Sequence, residues 1–61
     1  MVLLICMNNG ENFTFDITEE NYRAFKVDLL ICNWLKLIDY GYEANTQVFI
    51  RKENISYYCI L

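Results

Sequence analysis

The pair Asn9-Gly10, joining two strand-like runs within residues 2–17, constrains this chain more than any other feature. A type I′ turn needs φ > 0 at both central residues, which Asn and Gly tolerate best, so Asn-Gly between such runs predicts a β-hairpin. A two-residue loop would also set the register, with Cys6 opposite Phe13, Leu4 opposite Phe15 and Val2 opposite Ile17. One face of the ribbon is then Val2, Leu4, Cys6, Phe13, Phe15 and Ile17, all apolar. The other carries Leu3, Ile5 and Met7 against Asn12, Thr14 and Asp16. The first strand is apolar on both faces, as suits a central strand or one covered by a second subunit.

Sixty-one residues make one domain over residues 1–61. A chain this short buries only about 60% of the surface its unfolded form exposes, so a partner subunit, a metal or disulfides usually assist it. The apolar fraction is 56%, and one Trp, five Tyr and four Phe are more than one small core can hide. Oligomerisation is the simplest place for the excess. The net charge of −3, with Glu11, Asp16, Glu19 and Glu20 gathered around the start of the expected helix, disfavours binding to phosphates and suits a basic protein partner. Cys6, Cys32 and Cys59 are odd in number and lack a C-x-x-C spacing, so reduced, core-filling roles in the cytoplasm are expected. No apolar run approaches the 18 or so residues of a membrane span.

Thr18 is a good N-cap, followed by Glu19 and Glu20 where the helix dipole favours negative charge. Tyr22, Phe25, Leu29 and Cys32 repeat at helical spacing, with Arg23 and Lys26 turned to solvent. The helix is expected to leave near Asn33 through a left-handed residue. Residues 34–40 then read as a strand, with a helix running on to Tyr40 as the alternative. Residues 46–51 and 55–61 complete the pattern, joined by Lys52-Glu53-Asn54. The order is β-β-α-β-β-β, an α+β fold with one helix on a small, mostly antiparallel sheet, or on a sheet curled into a barrel.

Catalytic chemistry finds little to stand on. There is no His to activate a nucleophile, and Cys32 lies at the C-terminal end of the expected helix, where the dipole acts the wrong way to activate a thiol. Glu19 and Glu20 diverge by about 100° on a helix and cannot readily share a proton or a metal. The only glycines, Gly10 and Gly41, make no phosphate loop, and no cofactor is expected. Arg51, Lys52, Phe49, Tyr57 and Tyr58 offer a minor version of a nucleic-acid stacking platform. Protein recognition remains, because interfaces favour Tyr, Trp, Met and Arg. Leu3, Ile5 and Met7, with Trp34, Tyr57 and Tyr58, are the expected interface residues.

The Asn-Gly hairpin, the Thr18-Glu19-Glu20 helix start, Asn33-Trp34-Leu35-Lys36-Leu37-Ile38-Asp39, and the ending that runs from Asn45 through Phe49-Ile50-Arg51-Lys52-Glu53-Asn54-Ile55-Ser56-Tyr57-Tyr58 together resemble small proteins of Firmicutes and their phages. The resemblance spans most of the chain, rests on structural residues and carries over no functional residue. It implies an intracellular, non-enzymatic role, and by class an inhibitor or regulator of a host defence or nucleic-acid protein. The expectation is therefore a small acidic protein-binding module that pairs with itself and with a host protein, not with a membrane. A small nucleic-acid-binding barrel is the alternative.

Overall fold

In the computed structural model, which describes residues 1–61, the first turn differs from a two-residue Asn-Gly loop. Gly10 N–H donates to the Met7 carbonyl at 3.0 Å, so Asn8 and Asn9 hold the central positions. Both have negative φ, and Gly10 follows at φ 90°. This is a three-residue loop, a type I turn with glycine at its left-handed position. The Asn9 side chain reinforces it by accepting the Glu11 N–H at 2.9 Å.

The extra loop residue shifts the whole ladder. Strand β1 (Val2–Met7) pairs antiparallel with β2 (Asn12–Asp16) as Leu3 with Phe15 and Ile5 with Phe13, one residue from the expected register. A one-residue slip moves every side chain to the opposite face. Leu3 and Ile5 are therefore fully buried with Phe15 and Ile17, and Met7 and Phe13 pack against them. Val2, Leu4 and Cys6 instead share the outer face with Asn12, Thr14 and Asp16. The expectation that Leu3 and Ile5 line an interface is corrected: both are fully buried in the core of a single copy, and Met7 is half-buried at its edge.

Helix α1 (Glu19–Ile31) starts where expected, with Thr18 Oγ1 accepting the Asn21 N–H at 3.0 Å. Phe25 is its one fully buried residue, with Tyr22, Leu29 and Cys32 beside it on the core side. Its ring meets Tyr40 at 5.5 Å and Tyr58 at 5.3 Å, both edge-on. The helix ends without a left-handed residue, against the expectation at Asn33: Cys32 is already extended (φ −111°, ψ 145°), because strand β3 (Trp34–Lys36) begins two residues later.

Neither a strand nor a continuing helix covers residues 34–40. Leu37–Tyr40 form a 3₁₀ turn that Gly41 closes at φ 109°. Leu37 and Tyr40 are both buried, and residues three apart share a side in a 3₁₀ turn but lie on opposite faces of a strand. Strand β4 (Phe49–Arg51) is shorter than its sequence pattern, and a second 3₁₀ turn (Lys52–Asn54) leads to β5 (Ile55–Ile60).

The fold is α+β and antiparallel throughout, as a three-stranded sheet in the order β2-β1-β5 and a separate β3-β4 ribbon. The two do not join, so the sheet is not closed into a barrel. The helix and ribbon instead cover the inner face of the sheet, enclosing Leu3, Ile5, Phe15, Ile17, Phe25, Leu35, Leu37, Tyr40 and Ile50. No helix is long and apolar enough to cross a membrane.

Candidate functional site

Trp34 and Tyr57 are the expected interface residues that reach solvent, at 55% and 57% exposure. The fold sets them on different sheets. Tyr58 is half-buried, with its ring edge-on to Phe25 and 6.5 Å from Tyr22.

The β3-β4 ribbon explains Trp34. Leu35 pairs with Ile50, and both turn inward to the core. Alternation then sends Trp34 and Lys36 outward on one strand, and Phe49 and Arg51 outward on the other. Trp34 lies opposite Arg51 and Lys36 opposite Phe49, so two aromatic and two cationic side chains alternate on this face. The Arg51 guanidinium sits 5.3 Å from the centre of the Trp34 ring and bonds Glu53 at 2.8 Å. Beside them lies a shallow pocket of about 230 Å³ with mixed walls, apolar at Met7, Phe13 and Val48 and polar at Asn9, Glu11 and Asn54. Phe49 and Arg51 were missing from the expected interface, although the alternation over residues 48–51 already placed them on one face.

Tyr57 belongs to the outer face of the three-stranded sheet, directly across from Cys6. Its pKa is raised above the ordinary tyrosine value, chiefly by the neighbouring Cys6 side chain and less by burial. Leu4 and Cys59 pair next to them, so this face is apolar along β1 and β5 and polar along β2. All three cysteines are free thiols, and Cys6 is buried on this outer face rather than in the central core.

No group of three or more Cys, Asp or Glu side chains is arranged to hold a metal ion. Tyr40 has the other perturbed hydroxyl, in a structural setting: it donates to Asp28 Oδ2 at 2.5 Å across the core side of the helix. Compared with protein-family models, curated proteins and solved structures, the chain matches none.

Proposed function

We propose that this protein is a non-enzymatic, self-associating binding module that docks a protein partner on the outer face of the β3-β4 ribbon. The observation that carries this reading is that Trp34 and Phe49, both exposed, alternate with Lys36 and Arg51 on one face. Trp and Arg dominate the energetics of protein interfaces, particularly beside a pocket that an apolar anchor can fill. The matching partner surface offers one aliphatic or aromatic side chain for the pocket and a carboxylate for Lys36. On the resemblance drawn from the sequence, that partner is a host protein that the module inhibits.

Capture from host lysate with and without nuclease, followed by titration of the purified captured protein against Trp34 emission, tests this. Trp34→Ala is expected to weaken binding at least tenfold, in keeping with the ~2 kcal/mol cost of losing a hot spot, with the circular dichroism spectrum unchanged. Equal binding by wild type and Trp34→Ala overturns it. A second reading, a stacking platform for single-stranded nucleic acid, is favoured by the same alternation of rings and cations. It is the weaker one, because Arg51 is already paired with Glu53 and the chain carries a net charge of −3. Oligonucleotide binding with a steep loss of affinity in salt would decide for it.

A further inference from the structure

One edge of the three-stranded sheet is open, and its backbone pattern specifies what can close it. Strand β1 is central, so its residues alternate between two neighbours. Met7 N–H donates to Glu11 and Ile17 N–H to Met1, so odd-numbered residues of β1 bond β2. Leu61 N–H donates to Val2, so even-numbered residues bond β5. Leu4 with Cys59 and Cys6 with Tyr57 are then the hydrogen-bonded pairs. Tyr58 and Ile60 must point their N–H and C=O groups away from β1, along the free edge. The pairing jumps from Cys6–Tyr57 to Met7–Ile55, leaving Ser56 as the extra residue of a bulge. The regular edge therefore runs over residues 57–61, centred on Cys59.

The two edges of the sheet differ. Beside β2 runs the segment of Gly41, Tyr42 and Glu43, so close that a Cβ on Gly41 would lie 3.3 Å from the Asp16 carbonyl oxygen. β5 has no charge, no proline and no covering segment, and such edges recruit another strand. Between it and the helix lies an open groove of about 470 Å³ bordered by Leu29, Ile55 and Tyr58.

We propose that two copies pair antiparallel through β5, about a two-fold axis at Cys59, into one six-stranded sheet. Tyr58 and Ile60 of each copy exchange backbone bonds with Ile60 and Tyr58 of the other, satisfying all eight free groups. Ile60, on the helix side of the sheet, enters the groove of the second copy. The bulge at Ser56 disfavours the neighbouring register centred on Tyr58, which would need Ser56 in line. A second copy fits better than an unrelated strand because the uncharged edge is self-complementary in this register. Gly41 crowds the Asp16 end of the β2 edge, which favours closure at two copies over growth into a fibre. This inference rests on the self-associating part of the reading above and is independent of the ribbon's partner.

In this register Cys59 faces Cys59 of the second copy at a non-hydrogen-bonded pair, where Cα atoms lie about 4.5 Å apart, within disulfide range. The test combines sedimentation from micromolar to millimolar protein, cross-linking and amide exchange. Copper(II)-phenanthroline takes the two electrons as two thiols join and release their protons to solvent. We expect a monomer–dimer equilibrium and a disulfide dimer of the Cys6→Ser/Cys32→Ser variant, lost on Cys59→Ser. Amide exchange at Tyr58 and Ile60 is expected to slow about tenfold with rising concentration, while that at Thr14 and Asp16 does not. A monomer at millimolar concentration overturns the dimer. A dimer that fails to cross-link through Cys59, or whose Tyr58 and Ile60 amides stay fast, overturns this edge while leaving self-association intact. Trp34→Ala is expected to leave all three readouts unchanged, which separates this inference from the ribbon's role.

Discussion

Tyr40 shows how much one side chain can hold. It is 5% exposed, its ring packs on Phe25, its hydroxyl bonds Asp28, and its carbonyl accepts the Asn21 side-chain amide at 3.4 Å. Burial, then the hydrogen bond to Asp28 and nearby negative charge, raises its pKa well above the ordinary value of 10.0. The protonated form is thus favoured by folding. That contribution is fully present below pH 10 or so and is lost above it, where the unfolded chain releases its proton first. Stability should therefore fall by up to about 1.4 kcal/mol per pH unit above pH ~10, and Tyr40→Phe should lack that component. Near neutral pH the same substitution should cost about 1–3 kcal/mol by leaving Asp28 without its donor. Urea denaturation of both proteins across the alkaline range checks both statements. None of this was legible from residues 34–40 read as a strand, because the partners of Tyr40 are 12 and 19 positions away.

Among the elements, the two glycines separate backbone strain from crowding. Gly10 and Gly41 both sit at positive φ, yet a Cβ at Gly10 meets nothing within 4 Å, whereas one at Gly41 meets the Asp16 carbonyl oxygen. Gly10→Ala should cost about 1–2 kcal/mol from the left-handed backbone alone, and Gly41→Ala should cost more. Equal losses in denaturant titrations would contradict that distinction. The hairpin itself was legible, and its loop length was not. Asn9-Gly10 fits a two-residue turn locally, but the three-residue loop lets Leu3 and Ile5 join Phe13, Phe15 and Ile17 beneath the helix. Burial of that set decided the register. The helix start was legible because Thr18 and its glutamates act within one turn of the chain.

For the whole molecule, the excess of apolar residues is real but lies elsewhere than expected. Leu3 and Ile5 are at 0% exposure, whereas Leu30 is 80% and Ile31 74% exposed on the far side of the helix, near Val27. These three recur at helical spacing, a second stripe present in the sequence beside the core stripe of Tyr22, Phe25 and Leu29. Leu30→Lys should change stability by no more than about 0.5 kcal/mol, since nothing covers the side chain. Thermal unfolding of the variant measures this, and a large loss would mean that the helix face is covered in the native assembly. The exposure of Trp34 agrees with its place among the aromatics that one small core cannot hide, whereas Phe49 and Arg51 are brought alongside it only by the pairing of β3 with β4.

By itself the sequence determined the elements whose causes are local: the hairpin, the capped helix, the core stripe and an α+β order of elements. Period-2 and period-3.6 patterns and single capping side chains carry that information over a few residues. Only the tertiary structure decided which face of β1 is inside, where β3 stops, which sheet edge stays open and which aromatics share a surface. Those outcomes depend on which long-range burial wins when two local arrangements are nearly equal, as at Asn9-Gly10, where one loop residue exchanges the inner and outer faces of a strand.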